Sequence, residues 1–342
     1  MKRIIPLCLA LIMTVGLLAG CGKQNEQTAS DETRLRVVTT IFPEYDWVRE
    51  ILGDKADNAE VTMLLDNGAD LHSYQPTADD IVKISECDLF IYVGGESDDW
   101  VDDALKNAAN KNMKVINLLE ALGDSVKTEE VVEGMQEEEH DHDHDHEDAD
   151  GHDDAKEHDH EEEAEYDEHV WLSLKNAQTL CSAISSVLQQ IDPDNKDTYA
   201  ANASAYIKKL SALDADYQAA VDAAARKTVL FGDRFPFRYL AEDYGLRYYA
   251  AFAGCSAESE ASFEIISFLA GKVDKLNLPC VLTIEGVQHK IAETIVRNTA
   301  AKNQKVLMMD SMQSTTSKDA ANGTTYLSVM ERNLSVLKEA LG

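Results

Sequence analysis

Histidine and carboxylate side chains are the groups in this 342-residue chain whose types and spacing could do chemistry. His and Asp alternate from His140 to His146. Imidazole and carboxylate are ligands for divalent metal ions, and alternate residues of an extended chain point to one side, so neighbouring histidines can chelate one ion. Weak, exchangeable binding is expected at seven histidines: His140, His142, His144, His146, His152, His158 and His160. The alternative is a charge run that only contacts water.

Two further histidines lie beside predicted secondary structure. His72 is in the segment GADLHSYQPT, residues 68–77, just before a helix capped by Thr77. His169 follows the acidic stretch where the folded chain resumes. Either imidazole could offer one ring nitrogen to a metal while a carboxylate or carbonyl holds the other. On residue type alone, His72 could be an ordinary loop histidine and His169 the last member of the stretch.

The charge of the chain is concentrated in that stretch. The formal net charge is −32, and residues 129–168 hold 22 acids against one Lys. A segment with so few aliphatic residues cannot bury enough surface to offset the entropy of ordering it. We therefore predict a disordered, acidic, His-rich insertion over residues 126–168. The acidic balance argues against nucleic acid as a partner, because nucleic acid needs basic patches, and favours cations.

The N-terminus has the pattern of an export signal. Lys2 and Arg3 precede an apolar run over residues 4–18, which is too short to span a bilayer comfortably. The run ends in Leu-Ala-Gly before Cys21, the pattern of a bacterial lipobox in which the thiol is acylated. This predicts a signal peptide over residues 1–20, lipidation at Cys21, a tether over residues 21–34, and anchoring to the outer face of the bacterial cytoplasmic membrane. The alternative is a secreted protein with an incidental cysteine.

Four cysteines remain beyond the lipobox. Cys87 and Cys181 are interpreted as small buried apolar residues. Cys255 and Cys280 each lie beside a predicted strand end, and an exported protein can form disulfides, so these two are predicted to pair.

Strand-like and helix-like segments alternate on both sides of the insertion, which predicts an α/β protein with two parallel-sheet lobes. The lobes are expected over residues 35–125 and 226–342, with a helical connection over residues 169–225 that is broken near residues 192–194. That connection is either two helices or one kinked helix. Open parallel sheets bind ligands beyond the carboxyl ends of their strands, so a site is expected in the cleft between the lobes.

The order of these features resembles one protein family. The lipobox, the segment at 68–77, the His-rich insertion and the segment EHVWLS at 168–173 resemble the zinc and manganese receptors of ABC importers, over essentially the whole mature chain. The resemblance implies two α/β lobes joined by a long rigid helix, with the metal site in the interlobe cleft. It also implies a monomeric binding protein, not an enzyme, that captures Zn²⁺ outside the membrane and passes it to a permease with its ATPase.

The resemblance also implies a ligand set. His72 and His169 match the family's first two histidine ligands, and Asp310 resembles the carboxylate ligand after the last strand. The remaining ligand would fall at Arg234, but a guanidinium cannot bind a cation. Asp233 is predicted to substitute for it.

Three glutamates could supply the missing oxygen instead, with Arg234 paired to one of them: Glu258, Glu260 and Glu285. His289 is expected at the surface or in support of the ligands.

Ligand type alone does not separate zinc from manganese, but the imidazoles of the insertion favour zinc. The alternative within the family is a manganese receptor. The alternatives from other classes are a secreted zinc metallohydrolase, for which the chain shows no HExxH or nucleophile signature, and a metal-buffering adhesin.

Overall fold

The computed structural model of the protein describes residues 34–136, 165–256, 260–286 and 289–342. Cys21, Glu258 and the seven histidines of the insertion lie outside the described residues. Within the described ranges no helix is both long and apolar enough to cross a membrane.

The first lobe is a four-stranded parallel sheet. Its strands follow the order β2, β1, β3, β4 across the sheet. They are β1 (Leu35–Thr39), β2 (Ala59–Met63), β3 (Leu89–Tyr92) and β4 (Lys114–Asn117). The helices of this lobe are α1 (Phe42–Leu52), α2 (Ala78–Glu86), α3 (Trp100–Lys106) and α4 (Leu118–Leu122).

The second lobe repeats this architecture with the strand order β6, β5, β7, β8, again all parallel. The strands are β5 (Thr228–Arg234), β6 (Arg247–Phe252), β7 (Cys280–Thr283) and β8 (Lys305–Met308). The helices are α7 (Arg238–Asp243), α8 (Phe263–Leu276), α9 (Lys290–Asn298), α10 (Ser317–Ala321) and α11 (Tyr326–Leu341). Both lobes confirm the predicted fold class.

Two helices join the lobes, α5 (Leu174–Ile191) and α6 (Lys196–Ala223). The Ser173 side chain caps α5 by accepting from the Asn176 N–H. The chain reverses through a short turn that starts at Pro193, so the two-helix alternative is the observed one. With 28 residues, α6 is about 42 Å long and packs against α1 of the first lobe and α11 of the second.

One apolar core runs through both lobes and the joining helices. Trp47 of α1 and Tyr326 of α11 are fully buried, and their rings meet edge to face with centroids 5.2 Å apart. Tyr217 of α6 lies in the same core and donates its hydroxyl to the Met330 carbonyl at 2.7 Å. The lobes are therefore held against each other by packing as well as by the chain connection.

The structure changes the predicted extent of the insertion. The insertion was predicted to be disordered from residue 126, yet residues 126–136 and 165–168 make defined contacts, including a bridge between Thr128 and Tyr166. Both ends of the insertion therefore belong to the folded protein.

The predicted disulfide is wrong, because Cys255 and Cys280 are both free thiols. Cys255 follows the carboxyl end of β6, whereas Cys280 begins β7 in the same parallel sheet. The two ends of the strands are about 13 Å apart, from the four residues of β7 alone. This is well beyond the ~7 Å that a disulfide tolerates between Cα atoms. Cys87 and Cys181 are fully buried, as predicted.

A buried carboxyl group makes the stability of this fold depend on pH. Asp46 of α1 accepts from the Tyr326 N–H at 2.9 Å, and burial raises its pKa to about 7. The pKa in the unfolded chain is about 3.9, so between these values the native state keeps a proton that the unfolded state has lost. The contribution of Asp46 to stability is therefore full below about pH 4 and declines as the pH rises through this window.

Between about pH 5 and pH 8, the titration of Asp46 should lower the free energy of unfolding of the wild type by about 2–3 kcal/mol. The Asp46→Asn protein should lack this part of the decline, as measured by urea denaturation. Asp54→Asn, at an exposed position just after the same helix, is the matched control and should follow the wild type. Equal pH slopes for all three proteins would contradict this account of Asp46.

Candidate metal centre

His72 and His169 face each other in the cleft. His72 lies in the turn Leu71–Ser73, where the Asp70 side chain accepts from its N–H at 3.1 Å. His169 lies just before the turn Val170–Leu172, which leads into α5. The two Nε2 atoms are 3.3 Å apart, although the residues are 97 positions apart in the chain. The structure thus brings together the two histidines that the sequence singled out.

The other ring nitrogen of each imidazole is held by hydrogen-bond acceptors. His169 Nδ1 is 3.0 Å from an Asp167 carboxylate oxygen. His72 Nδ1 is 2.9 Å from the Ser97 hydroxyl and 3.3 Å from Glu168 Oε2. A carboxylate accepts a hydrogen bond, so it places the proton on Nδ1 and leaves a lone pair on Nε2. Two such lone pairs at this distance repel each other unless a cation lies between them.

The surroundings of the pair are buried and negatively charged. Asp167, Glu168 and His169 are almost fully buried. Burial alone would raise the pKa of Glu168, but hydrogen bonds from His72 and Ser97 outweigh it and lower that pKa. Glu168 therefore stays ionised and compensates the charge of a cation. No role was predicted for Asp167, Glu168 or Ser97 from the sequence, where the carboxylates directly before His169 were the available signal.

A cysteine completes the group of candidate ligand atoms. Among the described residues, one such group contains His72, His169 and Cys255, with one ligand atom of each lying within 4.8 Å of the others. Burial raises the pKa of the Cys255 thiol, and the charges of nearby carboxylates raise it further. Cys255 was predicted from the sequence to form a disulfide, so its position beside the two histidines was not predicted.

Arg234 binds a partner that was not among the predicted ones. Its guanidinium forms an ion pair with Asp70 of the first lobe, with Nη2 and Oδ2 2.5 Å apart, and donates to the Ser256 carbonyl at 3.3 Å. Burial raises the pKa of Asp70, but Arg234 outweighs this and lowers it. Asp70 Oδ1 is 3.9 Å from His72 Nε2. The expected pairing of Arg234 with a glutamate of its own lobe is corrected to an ion pair across the cleft.

The two predicted aspartate ligands make contacts within the second lobe. Asp233 accepts from the Thr283 hydroxyl at 2.6 Å, and that hydroxyl is also 3.1 Å from His289 Nδ1. Asp310 accepts from the Met312 N–H at 2.8 Å, and its other oxygen is 3.6 Å from Arg332. Neither belongs to the group of three described above.

Two of the alternative glutamates are described. Glu285 accepts from the Ser311 N–H and hydroxyl, each at 2.7 Å, and Glu260 lines the cleft.

The cleft is a cavity of about 810 Å³ between the lobes. Asp70 and His72 line it from the first lobe, and Asp233, Arg234 and His289 line it from the second. The cavity is therefore at the predicted place, beyond the carboxyl ends of the strands.

Two parallel α/β lobes, a long joining helix and opposed imidazoles between the lobes define a two-lobed α/β protein with a site suited to a metal ion. A family model described as "ZnuA: Zinc-uptake complex component A periplasmic" matches residues 37–340. The chain belongs to this family, which confirms the resemblance drawn from its motifs.

Two relatives illustrate this membership. The chain is 33% identical over 339 residues to the zinc-binding lipoprotein AdcA of Streptococcus pneumoniae, covering 99% of this chain and 61% of that protein. It therefore spans less than two thirds of that relative. It is 31% identical over 327 residues to the high-affinity zinc uptake system protein ZnuA of Bacillus subtilis, covering 95% of this chain and 94% of that protein.

Solved structures show the same fold. The Zn(II)-bound ZnuA-like domain of S. pneumoniae AdcA aligns with a TM-score of 0.66 at 29% identity, covering 90% of this chain and 99% of that one. The metal-dependent lipoprotein YcdH of B. subtilis aligns with a TM-score of 0.69 at 26% identity, with the same coverage.

Proposed function

We propose that this chain is the extracytoplasmic receptor of an ABC importer, which captures Zn²⁺ in its cleft and delivers it to a membrane permease with its ATPase. The observation that carries the proposal is the pair of Nε2 atoms 3.3 Å apart, each on a ring whose other nitrogen lies against a carboxylate, the arrangement that orients a histidine as a metal ligand. The names of the relatives, which refer to zinc binding and zinc uptake, support zinc as the cargo. The protein acts by binding and release, without a catalysed reaction.

His72 and His169 bind the ion through Nε2. Asp310 and Asp233 are the proposed oxygen ligands, and each would have to exchange its present hydrogen bonds for the ion. Asp233 lies near the carboxyl end of β5 and Asp310 just after β8, so this exchange requires a small shift at the ends of these two strands.

The remaining parts of the proposal concern residues outside the described ranges. Cys21 carries the lipid that anchors the protein to the outer face of the membrane, and residues 22–34 form the tether. The seven histidines of the insertion gather zinc weakly and raise its concentration beside the cleft. The receptor works as a monomer.

The test is a competitive titration of zinc against manganese on the full chain, beside a variant in which the seven insertion histidines are replaced by Asn. One tight zinc equivalent should remain in the variant and resist excess manganese. If tight binding is lost when the insertion histidines are replaced, the tight site does not lie in the cleft. Displacement of zinc by manganese would indicate that the protein is a manganese receptor.

Delivery is measured in cells. Zinc uptake should fall when the gene is deleted and recover with the wild-type gene, but not with His72→Ala.

A further inference from the structure

We propose that the Cys255 thiolate is the third ligand of the cleft site, so that the captured ion is bound by two imidazole nitrogens and one sulfur. This inference rests on the proposed function, because it concerns the same site. It assigns a ligand that neither the motifs nor the family resemblance supplied.

The geometry of the three side chains fits a tetrahedral zinc ion. With zinc–nitrogen bonds of 2.0–2.1 Å, two nitrogens on one tetrahedral ion lie about 3.3 Å apart. The Nε2 atoms of His72 and His169 are already 3.3 Å apart. A zinc–sulfur bond of about 2.3 Å places sulfur about 3.6 Å from each nitrogen. One candidate ligand atom of each residue lies within 4.8 Å of the other two, so the sulfur is at most about 1 Å beyond the ligand distance from one nitrogen of each ring.

The loop that carries Cys255 is fixed on the site from several directions. The Cys255 N–H donates to Glu129 at 2.8 Å, and the next carbonyl, of Ser256, accepts from Arg234. The loop backbone also lies against the proposed ligand His169, because a Cβ added at Gly254 would be 3.2 Å from its Nδ1 atom. Gly254 thus permits a close approach that a larger residue would crowd, since its Cβ would also lie 3.0 Å from the Phe235 carbonyl. These contacts hold the thiol beside the imidazoles.

The other polar groups nearby are less suited to this ligand position. Arg234 has no lone pair for a cation and is engaged with Asp70. Asp233 is bound to Thr283, and Asp310 accepts from the Met312 N–H. Two imidazoles alone leave a tetrahedral ion two ligands short. The sulfur supplies one of the missing ligands, so only one of the two proposed aspartates, Asp233 or Asp310, is needed to complete the site. On binding, a zinc–sulfur bond replaces the thiol S–H bond, and the proton passes to water.

A sulfur ligand also selects the cargo. Thiolate is a soft ligand that favours zinc, whereas manganese prefers oxygen. The site would therefore discriminate against manganese through the type of ligand, which the sequence pattern left open.

The test loads the full chain first with one equivalent of Co²⁺ and then with one equivalent of zinc. We expect a thiolate-to-cobalt charge-transfer band in the near ultraviolet, and a zinc–sulfur distance of about 2.3 Å by X-ray absorption. The insertion contains no cysteine, so cobalt bound there cannot produce the band. Neither measurement on the wild type depends on whether a variant folds.

Cys255→Ser should lose the band and bind zinc at least about a hundredfold more weakly, since loss of a supporting group alone costs 10–100-fold. Cys280→Ser, a free thiol at the start of β7, is the matched control and should keep both properties. The inference is overturned if cobalt gives no band and Cys255→Ser keeps tight zinc while His72→Ala loses it; the receptor function would then still stand. If His72→Ala and His169→Ala also keep tight zinc, the proposed function itself has failed.

Discussion

Replacing His169 by Ala should weaken zinc binding by more than about a hundredfold, and the tight equivalent should disappear from a titration of the full chain. His169 is fully buried, donates through Nδ1 to Asp167, and presents Nε2 to the cleft 3.3 Å from its counterpart on His72. The substitution removes a ligand nitrogen and also one of the two donors to the buried Asp167 carboxylate, which keeps only the backbone N–H of residue 169. His72→Ala should have the same effect on zinc.

The matched control for this result is His289→Ala. His289 also lines the cleft, but its Nδ1 contacts the Thr283 hydroxyl and it is not part of the group formed with Cys255. It should keep the tight zinc equivalent. Unfolding of each metal-free variant separates loss of the ligand from loss of the fold. A His169→Ala protein that is folded and still binds zinc tightly would show that His169 is not a ligand of the site.

Replacing Trp171 by Ala should lower the free energy of unfolding by about 3–5 kcal/mol, the usual cost of removing a large buried aromatic side chain. Trp171 is fully buried, and its ring centroid is 5.2 Å from that of His169. Its Nε1–H donates to the Ser311 carbonyl of the second lobe at 2.8 Å. Its own carbonyl accepts from the Tyr326 hydroxyl at 2.7 Å, so this one residue ties the metal site to the second lobe.

Trp171→Phe separates the two contributions of this residue. Phe keeps an aromatic ring in the core but cannot donate to Ser311, so it should cost about 1–3 kcal/mol, mainly for the carbonyl left unpaired. Urea denaturation of the metal-free proteins measures both changes. A Trp171→Ala protein within about 1 kcal/mol of the wild type would show that this residue does not hold the lobes together.

The secondary structure was largely predictable, because it follows from short-range patterns. The predicted alternation of strand-like and helix-like segments is observed in both lobes. Helix α11 and strand β6 show the local signals: apolar periodicity in the helix, with Thr325 as its cap, and aromatic residues in the strand. The short helices α4 and α10 were missed, since five residues carry too little periodicity.

The candidate site was only partly predictable. His72 and His169 stood out because their flanking residues match family motifs, and the structure places their Nε2 atoms together. The partners of Arg234 and Cys255 did not stand out. Arg234 and Asp70 are 164 positions apart in the chain, and no local pattern relates a side chain in one lobe to a loop in the other.

The sequence by itself determined the two α/β lobes, the helical connection between them and the two histidines of the cleft, since each depends on neighbouring residues or on a contiguous motif. Only the tertiary structure decided the contacts between distant segments. It separated Cys255 from Cys280, because Cys255 follows the carboxyl end of one strand and Cys280 begins another strand of the same parallel sheet. It placed Cys255 beside the imidazoles and turned Arg234 towards Asp70. Such contacts form when the lobes pack on each other, because packing brings together residues that are far apart in the chain.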